Sequence, residues 1–224
     1  MIVEPKMGVG RALFTALDQF AESGQRPELK TAPVIVLGWS GAGSLVGRLA
    51  GYRPERYLAG IAYAPGQYEP LGMDTIELSK DAIRMPQLII ANGGDNINGT
   101  KRPYEYFKKY FDQGAPWTFV VQNRTPHCCL QNAQPLILDW LRGVLTTAPQ
   151  TWGAGRHGYF SAEVSKVADE WKNPVFDATS ARASKKIGKP GANELSAGWL
   201  PSSAFAEMWL AFVRRADPIA IWKP

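Results

Sequence analysis

Short unbroken apolar runs alternate with amphipathic stretches along the first two thirds of the chain. Pro33-Val34-Ile35-Val36-Leu37 is the first such run, followed by residues 58–63, 87–91 and 118–121. Runs of this length without polar interruption suit strands buried on both faces, as in a parallel sheet covered by helices. Between them lie helical patterns. Val9, Leu13, Ala16, Leu17 and Phe20 share one helix face, and Ser23-Gly24 ends it. Residues 44–50 are helix-compatible. Residues 103–111 start with Pro near the first turn and place Tyr106, Phe107, Tyr110 and Phe111 on one side. Residues 135–145 are amphipathic through Leu136, Ile137, Trp140, Leu141 and Val144. Strand, helix, strand, helix in this order predicts an α/β domain with a mostly parallel sheet flanked by helices.

After Thr146 the texture changes. Residues 147–200 are rich in Gly, Ser, Asn, Pro and Lys, with weak periodicity around Val164, Val167, Ala168 and Trp171. Pro201 then opens a helical pattern through Phe205, Met208, Trp209, Phe212 and Val213. The expected organisation is a core over residues 1–146 and an irregular and helical appendage over 147–224, its last helix packed on the core.

Composition narrows the function classes. A net charge of +5 comes from scattered pairs such as Lys101-Arg102, Lys108-Lys109, Lys185-Lys186 and Arg214-Arg215. Without a long basic run, these read as solvated surface, with no nucleic-acid partner expected. No stretch approaches the roughly 18 apolar residues of a membrane span, and the first residues lack the pattern of an export signal, so no membrane partner is expected. The two cysteines, Cys128 and Cys129, are adjacent. They cannot staple distant parts of a fold and fit no zinc spacing, and they read as small buried residues near the site.

The strongest chemical signal is Gly38-Trp39-Ser40-Gly41-Ala42-Gly43, where a buried strand passes directly into a helix. A serine at such a cramped junction needs small neighbours. Gly38 and Ala42 flank Ser40, and Gly41 and Gly43 are expected to relieve the crowding further. The turn lifts the hydroxyl clear of the sheet and aims helix N–H groups, Gly41 first, at an anion formed beside it. A phosphate loop fits less well: no Lys-Ser/Thr pair follows, and Gly47 comes one residue late for the dinucleotide fingerprint.

Asp95 follows the third strand in Asn92-Gly93-Gly94-Asp95-Asn96, and His127 follows the fourth in Arg124-Thr125-Pro126-His127. Ser40, Asp95 and His127 thus stand in the chain order Ser, acid, His, just past the C-terminal ends of strands, where open parallel sheets bind ligands. His127 is the expected general base and Asp95 its orienting acid. His157, Asp112 and Asp74 are the weaker rivals. Trp39, Tyr63 and Tyr68 are candidates for the substrate pocket, with plain core as the alternative. Such chemistry calls for no cofactor and no metal.

On these residues, segment 34–145 resembles the second half of an α/β-hydrolase domain. It is most similar to esterase-like members related to dienelactone hydrolases and polyhydroxybutyrate depolymerases. The resemblance implies hydrolysis of a small-molecule ester through an acyl-enzyme on Ser40, with Gly41 N–H in the oxyanion hole. It also implies several strands and a second oxyanion donor before the Ser40 strand, whereas only a helix and a polar linker precede it here. The expectation is a partial fold, with an exposed sheet edge open to a homo-oligomer or another partner. The alternative function is a non-catalytic binding or interaction protein built on the same fold.

Overall fold

The computed structural model describes residues 5–66, 77–122, 124–147, 175–177, 182–184 and 195–213. Four strands, β1 (Val34–Trp39), β2 (Tyr57–Tyr63), β3 (Gln87–Asn92) and β4 (Trp117–Gln122), pair in parallel in that order. The helices α1 (Val9–Ser23), α2 (Gly41–Leu49), α3 (Lys101–Phe111) and α4 (Gln134–Thr147) complete the alternation. The apolar runs therefore form the predicted mostly parallel sheet.

Two packed layers of side chains flank the sheet. On one face Leu58, Ile61, Leu88, Ile90 and Val120 meet Leu136, Trp140 and Val144 of α4. On the other, Ile89, Trp117, Phe119 and Val121 meet Tyr106, Phe107 and Tyr110 of α3, and Phe14 of α1 joins the same cluster. Burying such large aromatics contributes about 25 cal/mol per Å² of apolar surface, which makes these layers the main source of stability.

The face of α1 differs from expectation. Its buried residues are Gly10, Phe14 and Ala21, whereas Phe20 is 61% exposed. The reason lies in partners distant in sequence: Phe14 packs against the rings of Tyr52 and Tyr57, with the Arg53 and Arg56 guanidinium groups over its own ring. A side chain at Gly10 would run into the Tyr52 ring. Arg56, itself buried, also donates to Leu29 O and Ala32 O and so holds the segment that feeds β1.

The strand β1 is not buried on both faces as its composition suggested. It is the edge of the sheet. Ile35, Leu37 and Trp39 are 40%, 48% and 49% exposed along one face, while Val34 and Val36 lean on the α1 side. Even at an edge, an apolar strand orders well once its other edge pairs along its full length with β2.

Three strands were not legible as such. These are β5 (Val175–Asp177), β6 (Arg182–Ser184) and β7 (Leu195–Gly198), which extend the sheet in the order β4-β7-β5-β6 with antiparallel pairing. The final helix, α5 (Ser203–Val213), adds Phe205, Trp209 and Phe212 to the α4 layer. Part of the expected appendage thus continues the core sheet and covers it. Gly198 sits at φ +144°, and a Cβ there would collide with the Trp117 carbonyl, so glycine permits the β4–β7 approach. Among the described residues no helix is long and apolar enough to cross a membrane.

The exposure difference within α1 gives a direct test. Phe14→Ala is expected to cost about 3–5 kcal/mol and Phe20→Ala less than about 0.5 kcal/mol in chemical denaturation. Equal losses would contradict the observed orientation of the helix.

Candidate active site

All four parallel strands release their C-terminal loops at one edge of the sheet, and Ser40, Asp95 and His127 follow three of them there. Ser40 lies between β1 and α2 with φ 56° and ψ −121°, a positive-φ conformation that a non-glycine residue adopts only when its surroundings impose it. Its amide donates to Tyr63 O (3.0 Å), and its carbonyl accepts from Ser44 N and Gly66 N. The glycines around it divide their work differently from expectation. A Cβ at Gly38 would overlap the Ala42 carbonyl, and one at Gly43 would press on Gly38 O and Tyr63 O at 3.1 Å. Gly41 faces open space, so crowding does not require it. As the first residue of α2, its N–H has no partner within the helix and points out of the helix start.

The Asp95 loop is built to hold a carboxylate. Oδ1 accepts from the amides of Ile97 (2.8 Å) and Asn98 (3.0 Å), and Oδ2 lies 2.6 Å from His127 Nδ1. The Asp95 side chain is fully buried and that of His127 nearly so. Burial works against the charge on Asp95. The His127 hydrogen bond and the two amides outweigh it and hold its carboxyl below the usual aspartate value. With Nδ1–H on Asp95, the imidazole presents Nε2 as its proton acceptor. Gly94 lets the two loops close on each other: its N–H bonds to Thr125 O at 2.9 Å, and a Cβ would lie 2.9 Å from Arg124 O.

His127 is also set against β1. Its ring lies 5.6 Å from that of Trp39, the residue before Ser40. A relay of hydrogen bonds runs across the same edge. Ser40 O accepts from Gly66 N (3.3 Å), Ala64 O from Asn98 Nδ2 (2.9 Å), and Asn98 N donates to Asp95. Beneath His127, Asn92 Nδ2 reaches Pro126 O (2.7 Å) and Cys128 O (3.1 Å), and the Tyr63 hydroxyl lies 2.6 Å from Cys128 O.

Of the two readings of Tyr63, pocket or core, its position fits the core. It is completely buried, its hydroxyl props the His127 turn from below, and burial pushes its pKa up to about 12. Trp39 is half-exposed beside the site, and Tyr68 lies outside the described residues. Asp112 pairs with Lys108 at the end of α3, away from this edge; Asp74 and His157 lie outside the described residues. The cysteines also differ from the reading as simple small buried residues: Cys128 and Cys129 are bonded to each other. Asn92 and Asn98, which fix the two loops, carried no signal beyond that of loop polar residues.

No family model and no curated protein matches the chain. Solved structures do. MGS-M1, an alpha/beta hydrolase enzyme from a Medee basin deep-sea metagenome library, is 15% identical with a TM-score of 0.50 over 60% of this chain and 63% of its own. A Bacillus cereus carboxylesterase is 16% identical with a TM-score of 0.48, covering 60% and 59%. Arabidopsis thaliana SOBER1 is 15% identical with a TM-score of 0.48, covering 62% and 64%. The chain spans less than two thirds of the length of each of these.

The lowered Asp95 pKa fixes the sign of a pH effect. A carboxyl below its unfolded value of about 3.9 stabilises the fold above that pH, and the contribution disappears as pH falls through the folded value. The melting temperature is therefore expected to fall between about pH 5 and pH 2, with a shallower slope in Asp95→Asn. Identical slopes would remove Asp95 as a source of acid sensitivity.

Proposed function

From the partial α/β-hydrolase fold that this chain adopts, we propose that it is a serine hydrolase acting on carboxylic esters of small molecules. The observation carrying this reading is the buried 2.6 Å hydrogen bond from His127 Nδ1 to Asp95, at the same sheet edge as the positive-φ Ser40 turn. A histidine held this way by a carboxylate is oriented for proton transfer at its other nitrogen.

In the proposed reaction His127 Nε2 takes the Ser40 Oγ proton as the oxygen attacks the ester carbonyl. Asp95 stabilises the imidazolium formed, and Gly41 N–H donates to the oxyanion. His127 then protonates the leaving alcohol, leaving an acyl group on Ser40. Water, activated by the same imidazole, releases the acid. The half-exposed Trp39 ring offers an apolar surface to the acyl or alcohol part of the ester.

A second reading rests on the open edge of β1. Its apolar stripe of Ile35, Leu37 and Trp39 suits a non-catalytic binding or interaction protein that pairs through this strand, including with a second copy of itself.

A fluorophosphonate, which reacts with activated serines, separates the readings. Intact mass should show one adduct on the wild-type chain, absent from Ser40→Ala and slowed at least about 10²-fold in His127→Ala. A folded wild-type chain that takes no adduct would favour the interaction protein.

A further inference from the structure

The vicinal pair Cys128–Cys129 directly follows the proposed general base, and the ester-hydrolysis reading makes no use of it. Its surroundings tie it to His127. Cys128 N donates to Pro126 O at 2.6 Å, which makes His127 the middle residue of a three-residue turn. The carbonyl of Cys128 is the acceptor for Tyr63 Oη and Asn92 Nδ2, the two side chains that support this turn from β2 and β3. Cys129 has φ 73° and ψ 37°, left-handed, and starts the short turn of helix that leads into α4. A cysteine side chain has no local polar group to favour that conformation, unlike asparagine or aspartate. Its sulfur is bonded to that of Cys128, so both residues share one small ring. Cys129 is buried, whereas Cys128 is half-buried.

We propose that the Cys128–Cys129 disulfide is a reducible latch that holds His127 on Asp95. When the bond opens, Cys129 is free to leave the left-handed region. That rotates the Cys128–Cys129 peptide and takes the Cys128 carbonyl off Tyr63 and Asn92. Of these side-chain supports, the turn centred on His127 then keeps only the bond from Asn92 Nδ2 to Pro126 O. The two cysteines act as positioning residues, through the backbone and not on substrate. The effect on His127 is independent of any substrate, and only its consequence for Ser40 rests on the ester-hydrolysis reading.

The chemistry is thiol–disulfide exchange with a dithiol. A reductant thiolate attacks Cys128 Sγ, the bond to Cys129 Sγ breaks, and the electron pair leaves on Cys129 Sγ, which takes a proton. The second thiolate of the reductant attacks its own sulfur in the mixed disulfide and releases Cys128 as a thiolate, which is protonated in turn. The protein gains two electrons and two protons, and the dithiol becomes a disulfide.

The test compares the full chain oxidised, reduced with dithiothreitol, and reoxidised, with redox state read by intact mass. The primary readout is the proton resonance of the His127 Nδ1–H, distinguished from His157 in a His157→Gln background. The bonded form is expected to show the strongly downfield signal of an imidazole held on a carboxylate, and the reduced form to lose it while circular dichroism stays unchanged. Fluorophosphonate labelling of Ser40 should slow about tenfold or more on reduction, as small displacements of a catalytic group do, and recover on reoxidation. The Cys128→Ser/Cys129→Ser variant should behave as the reduced chain whatever the thiol added. If that variant fails to fold, the reversible wild-type comparison decides alone. A His127 resonance indifferent to redox state would overturn the latch. A resonance that responds while Ser40 stays unlabelled in both states would uphold the latch and sink the esterase reading instead.

Discussion

The hydrogen bond between His127 and Asp95 depends on a single geometric constraint, the flush parallel register of β3 and β4. Asn92 stands opposite Gln122, the last pair in the ladder, so the loops that follow leave the sheet side by side. Gly93 N on Gln122 O and Gly94 N on Thr125 O continue the pairing beyond the strands. A slip of one residue between these strands would turn Asn92 away from the His127 turn and separate acid from base. The same edge holds Ser40, because Trp39 stands opposite Tyr63 and Tyr63 opposite Ile90. Register, set by apolar side chains far below, thus determines the spacing of polar groups at the top.

Stability and chemistry are divided between the two ends of the strands. The midsections carry Trp117, Phe119, Leu88 and Ile61 into two aromatic-rich layers. Their C-terminal ends carry asparagines, aspartate, histidine and a strained serine. The strain at Ser40 is held by the pairing of its amide with Tyr63 and by the two glycines that clear space around it. On the open side β1 has no such support, and its bare apolar stripe is the one place where the two-layer arrangement is unfinished among the described residues.

Much of this was legible in the sequence, because the physics behind it is local. Unbroken apolar runs give buried strands, and residues just past each run must emerge at a common edge in a parallel sheet. Gly38 beside Ser40, and Asp95 and His127 past their strands, were visible on that basis. What was not legible depends on partners distant in sequence. The strands β5 to β7 are too short for a periodic signal; β7 pairs on β4, β5 on β7 and β6 on β5. The turn of α1 is decided by Tyr52, Tyr57 and two arginines, so a face counted from apolar spacing alone missed Phe14 and kept Phe20. Tyr63 looked like a pocket residue because it ends a strand beside the site; only its bond to Cys128 O shows that it points beneath the histidine. A bond between adjacent cysteines leaves no mark in spacing at all.

In the proposed reaction Asp95 acts on Ser40 only through His127. A double-mutant cycle on the fluorophosphonate labelling rate tests it most directly, using Asp95→Asn, His127→Ala and the combination, all checked for folding. Groups that act as a unit are strongly non-additive, so the double variant should be no slower than His127→Ala alone. Losses that multiply, with the double variant slower by the product of the two single effects, would mean that Asp95 and His127 act independently, and the account would fail.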